Sequence, residues 1–573
     1  MKTKNVLFFL AMLCMIALLT GCSGQSQQGS NSTSSGGTSS SPSTSSPSTP
    51  SGGASSGVPS NVAPGYENIM RMITNPQPDT NDPQKTTEFY CVNFMIFDRL
   101  VEAVTTSPGR TELIPGLAER WEISADALEY TFYLRKGVKY HNGNDLTSED
   151  VKYTFERMLW PETGAKNQDF VDMVAGADDV MDGLTRDLAG ITIIDSHTIK
   201  VRVAEPFGPF LAAMASPPMA ILNKAATEAA GTDFGLIPEK TIGTGPYYFD
   251  KWILNDELLI RRNDNYWQTL PELDGISWKI ISDGETMRMM YEAGELDVFD
   301  TEFNLAQLDY FASNPRYANN IVATDRVGIY YAHYNQNIPP FDNVLVRRAL
   351  QMAIDREGLV DALNGGRGTP RYGIFPAGVM GYNPNLPAIP YDPEAAKAML
   401  AEAGYPNGFA MTIAWDSSST GSLARVELLA ALFEDIGLTV KIDAMDSASW
   451  YAVRADGQLP MYTSSWSADY NDPDNFIYTF FGTQTNTFRR SFNFNNAELM
   501  RRVADARAIV DPVAREKEYQ ALEIAIIQEE AAWIPLYSVQ HVFLVSDRLQ
   551  GFQPAWNGWS DGRYYYDGLR IVN

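Results

Sequence analysis

Residues 466 to 474 read Trp466-Ser467-Ala468-Asp469-Tyr470-Asn471-Asp472-Pro473-Asp474, three carboxylates within six residues beside two large aromatics. Carboxylates at that spacing have three kinds of chemistry open to them: holding calcium, acting as acid and base in a hydrolase, or pairing with a cation on a bound molecule. Calcium fits poorly, because proline stands near where an EF-hand loop needs glycine at its sixth position. Hydrolysis by Asp469, Asp472 and Asp474 is a remote alternative that would make the chain an enzyme. The plainest reading makes Asp469 a turn residue capping 471–475, Asp472 and Asp474 turn formers before a helix, and Trp466 and Tyr470 core aromatics.

Other catalytic patterns are weaker. Gly558-Trp559-Ser560-Asp561-Gly562 matches the G-x-S-x-G elbow of hydrolases, whose acid and histidine follow the serine, yet the last histidine here is His541. Flanked by Trp556 and by Tyr564 to Tyr566, the segment reads as an aromatic turn. The four histidines, His141, His197, His333 and His541, show no metal-ligand spacing. Gly243-Thr244-Gly245-Pro246 lacks the third glycine of a dinucleotide loop, and no phosphate-binding G-x-x-x-x-G-K-[ST] loop occurs.

The elements that must position these residues are legible locally. Tyr130, Phe132 and Leu134 alternate along one face of a strand, and Thr147 with Asp150 forms a capping-box pair flanked by Leu146 and Val151, which starts a helix. Val151, Phe155 and Met158 then recur at helical spacing. Ile191–Ile194 and Thr198–Val203 read as a hairpin with His197 at its turn. Met411–Ala414, a helix face of Leu423, Val426, Leu429 and Phe433, and Leu438–Ile442 form a βαβ crossover, which predicts parallel strands and an α/β lobe. Further helices carry Val346, Ala349, Leu350, Ala353 and Ile354, and run from Asp392-Pro393 to Gly404.

At the other end, Lys2 and Lys4 precede an apolar run from Val6 to Leu19, closed by Thr20-Gly21-Cys22. The run is short for a membrane span and reads as an export signal over residues 1–21. Its ending resembles the lipobox of bacterial lipoproteins, which implies a diacylglyceryl anchor on Cys22. From 22 to 63 the chain is almost wholly Ser, Thr, Gly, Gln, Asn and Pro, the composition of a disordered tether. At roughly 5 to 6 Å times the square root of length, it holds the following body about 35 Å from the membrane.

That body is just over five hundred residues, enough for two or three lobes. The chain's formal charge of −26, carried by that body and the signal's two lysines, opposes binding to nucleic acid or anionic lipid. Cys14 leaves with the signal and Cys22 is lipidated, so Cys91 is the one cysteine of the body and no intrachain disulfide can form. Cys91 is expected to be a buried thiol. No second apolar run approaches membrane-spanning length, so the body is expected to be soluble.

Three ordered motifs resemble one family, the extracytoplasmic solute-binding proteins, family 5, of peptide and nickel ABC transporters. The first is Leu117-Ala118-Glu119-Arg120-Trp121 followed by Tyr130 to His141 and Leu146-Thr147-Ser148-Glu149-Asp150-Val151. The second is Ile242-Gly243-Thr244-Gly245-Pro246-Tyr247, and the third Val346-Arg347-Arg348-Ala349-Leu350 with Ala353-Ile354-Asp355-Arg356. Asn142 and Asn144-Asp145 depart from the family's usual residues without disturbing the pattern.

The resemblance implies an α/β, two-lobed clamp of the type II periplasmic-binding-protein kind with an extra subdomain in the first lobe. Expected bounds are 64–324 for lobe I, with the subdomain at about 101–220, 325–541 for lobe II, and 542–573 returning to complete lobe I. It further implies a monomeric binding protein without cofactor, catalysis or metal site, delivering peptides to an ABC permease and its ATPases, anchored to the cell membrane by lipid. Asp469 holds the position of the family's buried aspartate facing a peptide's α-ammonium, with Trp466 and Tyr470 as walls and the local strand pairing with extended peptide backbone. The same fold with an oligosaccharide or a chelated metal such as nickel as ligand is the alternative.

Overall fold

The computed structural model describes residues 62–74, 77–87, 90–107, 110–301, 305–553 and 568–572. The signal, Cys22, the tether up to residue 61 and the Gly558 to Gly562 turn lie outside the described residues.

The first sheet orders Ile69–Thr74, Gly275–Ile280, Glu257–Arg262 and Tyr247–Ile253, with the first two strands parallel and the others antiparallel. Met70, Met72, Leu258, Ile260, Ile276 and Trp278 are buried on it. A separate antiparallel sheet, Ala118–Ile123, Glu129–Leu134, Thr198–Arg202 and Ile191–Asp195, forms the subdomain. Tyr130, Phe132 and Leu134 point into its core, where the helix Ser148–Leu159 delivers Val151, Phe155 and Met158. The Thr147 and Asp150 capping box is present, a contribution of about 1 kcal/mol to that helix. His197 sits half-buried at the turn of the 191–202 hairpin.

The second lobe is built on the order Thr369–Pro370, Ile534–Ser538, Gly328–Tyr334 and Met461–Ser467, all antiparallel. The βαβ crossover is present beside it: Ala410–Asp416 pairs in parallel with Thr439–Met445 across the helix Thr420–Asp435. Parallel pairing stops there, however. The lobe's larger sheet is antiparallel because its strands come from distant segments rather than from consecutive crossovers, so the α/β reading holds for composition and not for strand direction.

Two clusters cover the faces of the larger sheet. One packs Val346, Leu350, Leu429 and Phe433, the other Phe480, Phe492, Tyr519 and Trp533. Asp392 caps the helix Pro393–Glu402, its carboxylate accepting the Ala395 N–H at 2.9 Å, and Gly404 follows at φ +98°. Strand partners change over between Asp325 and Gly328 and again between Ser538 and Gln540. Gln540–Val545 pairs with Val298–Asp300 and Ile321–Asp325 rather than with the second-lobe sheet. Cys91 is buried in the short helix Cys91–Ile96. Among the described residues no helix is long and apolar enough to cross a membrane.

Candidate functional site

Met461–Ser467 is the edge strand of the second-lobe sheet, its inner side hydrogen-bonded to Gly328–Tyr334. Alternation puts Tyr462, Ser464 and Trp466 on one face. After Ser467 the chain turns through Asp469 and enters the helix Asp474–Phe481.

The three carboxylates of this turn part company in space. Asp472 and Asp474 are buried at 3% and 1% exposure and are neutralised, Asp472 by Arg515 and Asp474 by Arg507 at 3.1 Å. Asp472 also accepts the Asp474 N–H at 2.9 Å, and Asp474 takes the hydroxyls of Tyr470 at 3.1 Å and Tyr519 at 3.3 Å. They are therefore ion-pair partners that build the helix start, more than the simple turn formers read from sequence.

Asp469 differs. Among the described residues no cation lies within ion-pair reach of it. It is half-buried by accessible area, yet protein closes around it, as for a group at the foot of a cleft, and burial lifts its pKa to about 6. Asn475 opposes that shift by donating to Asp469 Oδ2 at 3.1 Å, Asp169 adds to it, and the more distant Arg490 charge opposes it. Asn475 Oδ1 in turn accepts the Trp466 indole N–H and the Asp469 backbone N–H, both at 3.0 Å. One amide thus sets both the aromatic wall and the carboxylate.

The first lobe reaches this place as well. The Tyr470 ring meets Phe170 edge-on at 6.1 Å, and the Ser216 hydroxyl donates to the Asp469 carbonyl at 3.2 Å. Gly208 donates its N–H to the Arg507 carbonyl at 2.7 Å, at a point where a Cβ would lie 2.4 Å from the Arg515 guanidinium. Asp169 and Asp172 stand on the subdomain side of Phe170. Burial raises the pKa of both, and the Asp169 charge helps bring Asp172 to about 6.

Of the three ligand-binding candidates, Trp466 and Asp469 are joined through Asn475, whereas Tyr470 turns its hydroxyl to Asp474 and its ring to Phe170. Asn475, Asp169 and Asp172 were not found from sequence; nothing local marks an asparagine six residues after an aspartate. Among the described residues no three His, Cys, Asp or Glu side chains gather as metal ligands. His333 is buried and His141 half-buried, and desolvation moves the His141 pKa down to about 4 and that of His333 well below the ordinary range.

Comparison with known proteins agrees with this architecture. The family model for bacterial extracellular solute-binding proteins, family 5 Middle, matches residues 112–488. Heme-binding protein A of Haemophilus influenzae is 29% identical over 482 residues, 81% of this chain and 86% of that protein. Glutathione-binding protein GsiB of Salmonella typhi is 31% identical over 447 residues, 76% of this chain and 82% of that protein. The periplasmic murein tripeptide binding protein MppA, in its unliganded open form, superposes with a TM-score of 0.76 over 88% of this chain and 98% of its own, at 24% identity, and so speaks for the fold alone. Two lobes, an antiparallel subdomain and the match over residues 112–488 together show that the chain belongs to the bacterial extracellular solute-binding proteins, family 5.

Proposed function

We propose that this protein captures peptides between its lobes outside the membrane and hands them to an ABC permease. One observation carries the reading. Asp469 is a carboxylate enclosed by protein, beside an indole wall, with a hydrogen-bond donor but no cation within salt-bridge distance among the described residues, and a ligand α-ammonium supplies what is missing. Desolvating that ammonium costs several kcal/mol unless a close carboxylate replaces its water. The edge of Met461–Ser467 offers backbone pairing that ignores side-chain identity, which gives broad peptide acceptance. Tyr470 belongs to the site as a link to the first lobe rather than as a direct contact.

In the same reading Cys22 carries the lipid anchor and the protein works as a monomer. The lobes divide at the two changes of strand partner, at 326–327 and 539, within about two residues of the expected division into 64–324 with 542–573 and 325–541. Likeness to a protein named for heme, itself a metal chelate, keeps a chelated-metal ligand as the second reading.

Mass spectrometry of ligand released from the full-length protein, purified without denaturation from rich medium, tests this. A ladder of amine-bearing peptide masses is the expected result. One defined sugar or metal-chelate mass would overturn the peptide reading. Mass analysis of the mature N-terminus tests the anchor, which requires a diacylglyceryl increment on Cys22.

A further inference from the structure

The second lobe holds a small cavity that the peptide reading leaves unused. It encloses about 220 Å³ between the 369–388 segment and Glu523, with Arg371, Phe375, Tyr382 and Leu386 among its walls. Arg371 follows the strand Thr369–Pro370, which lies at the opposite edge of the second-lobe sheet from Met461–Ser467. Three strand spacings of roughly 4.8 Å put about 14 Å between those edges, so the cavity is separate from the turn that carries Asp469.

Two opposite charges line this cavity, Arg371 at 6% exposure and Glu523 at 1%. Arg371 donates from Nε to the Ser538 hydroxyl at 2.8 Å and makes a long contact, 3.5 Å, from Nη1 to the Tyr382 hydroxyl. Glu523 Oε1 takes the N–H groups of Ile374 and Phe375 at 2.7 and 2.9 Å, while its Oε2 has no hydrogen-bond partner. Among the described residues neither group has an opposite charge within salt-bridge distance. Burial lifts the Glu523 pKa to about 7, opposed by the two N–H groups and by the more distant Arg371 charge.

The chain is shaped around this carboxylate. Gly373 allows the close approach of the loop, since a Cβ there would lie 2.2 Å from Glu523 Oε1 and 2.5 Å from the Leu386 side chain. Immediately after Glu523 the helix Pro512–Glu523 widens into a π turn, Ile524–Glu529. Such turns are rare and are frequent at functional places. Two desolvated charges held apart are costly, and one molecule carrying both opposite charges relieves them together.

We infer that this cavity is a binding site for a small zwitterion of the α-amino-acid class, with its carboxylate on Arg371 and its ammonium on Glu523. Size bounds the ligand: at roughly 30 Å³ each the space holds about seven waters, hence one molecule of about that many heavy atoms. A peptide does not fit, because pockets for larger ligands start at about 300 Å³. Phe375 and Leu386 suit a short apolar side chain. The site stands independently of what the cleft between the lobes binds.

The test titrates L-valine, L-valinamide and N-acetyl-L-valine calorimetrically into the full chain. L-valine is expected to bind with a Kd between about 10 μM and 1 mM. The two singly charged analogues should bind at least tenfold more weakly, because each strands one of the buried charges. Arg371→Gln and Glu523→Gln should each weaken valine at least tenfold, and so should Leu386→Trp, which fills the space and alters neither charge. Thermal unfolding of each variant shows that it is folded. Asp469→Asn tells the cavity from the cleft, since valine should bind it as tightly as it binds the unaltered protein. No valine binding by the unaltered protein means a cavity filled by water only and overturns the site. Valine binding lost in Asp469→Asn but kept in the three cavity variants also overturns it, and leaves the peptide reading standing. Valine binding lost only in the cavity variants upholds the site even if the cleft proves to take no peptide.

Discussion

Asp469 and Asn475 hold each other reciprocally: the Asn475 amide donates to Asp469 Oδ2 at 3.1 Å, and its oxygen takes the Asp469 backbone N–H at 3.0 Å. The carboxylate is thereby fixed in direction by one amide while it keeps hydrogen-bonding capacity beyond that bond. In the proposed function this aimed carboxylate meets a charged ligand.

Replacing Asp469 by Asn keeps the shape and removes the charge. Affinity for amine-bearing peptides is expected to fall by about 2 to 5 kcal/mol, and N-acetylated peptides should lose far less. Calorimetry with matched free and acetylated peptides checks this, and unchanged affinity for the free peptide would sink the ammonium pairing.

Asn475→Ala leaves Asp469 in place but frees its orientation and strips the Trp466 N–H of its acceptor. A loss of about 1 to 2 kcal/mol in affinity is expected, smaller than for Asp469→Asn.

Asp469 has its pKa raised to about 6 in the unliganded protein, against an ordinary 3.8, and it must be ionised to face an ammonium. Peptide affinity should therefore be flat above pH 6 and fall below it, approaching tenfold per pH unit. The same raised value means that the ionised form weighs against the empty fold at neutral pH. Asp469→Asn should raise the melting temperature of the ligand-free protein at pH 7, an advantage that shrinks as pH falls through 6 toward 4.

His333 is fully buried, 3.7 Å from the Tyr462 ring centroid and 4.4 Å from that of Phe492. Its folded pKa lies well below 6.5, so the unfolded chain takes up a proton that the folded one refuses. Above pH 6.5 the group is neutral in both states; below it, stability should drop by up to about 1.4 kcal/mol per pH unit. Comparing His333→Phe with the unaltered protein by denaturant unfolding at pH 7 and pH 5 isolates the effect: the variant should lose less on acidification.

Arg515→Met removes the cation from Asp472 and leaves a buried carboxylate stranded. A destabilisation of about 3 to 5 kcal/mol is expected in urea unfolding, and a change below 1 kcal/mol would contradict the ion pair.

The parts of this fold that announce themselves in sequence are those set by local periodicity. Tyr130, Phe132 and Leu134 alternate, Thr147 and Asp150 cap, and 410–445 reads as strand, helix and strand, and each is found. Roles that depend on residues far apart in the chain are not written locally. Arg507 and Arg515 lie more than thirty residues beyond Asp474 and Asp472, so nothing at the acidic turn tells which carboxylate will be neutralised and which left open. Phe170 meets Tyr470 only because two lobes meet. The antiparallel direction of the second-lobe sheet is likewise set by long returns of the chain, which a single crossover does not foretell.

The two passages between the lobes have a mechanical consequence. Ile321–Asp325 and Gln540–Val545 are paired just before the passages, Gly328–Tyr334 and Ile534–Ser538 just after them, and Arg326 donates its N–H to the Val539 carbonyl at 3.2 Å in the passage itself. Under the lobe division proposed above, the two lobes are joined by a ribbon two chains wide, tied across by that bond. Such a ribbon flexes readily across its thin direction and resists shear and torsion. With the lobes divided there, a joint of this kind favours a swing about one axis over the sliding of one lobe past the other.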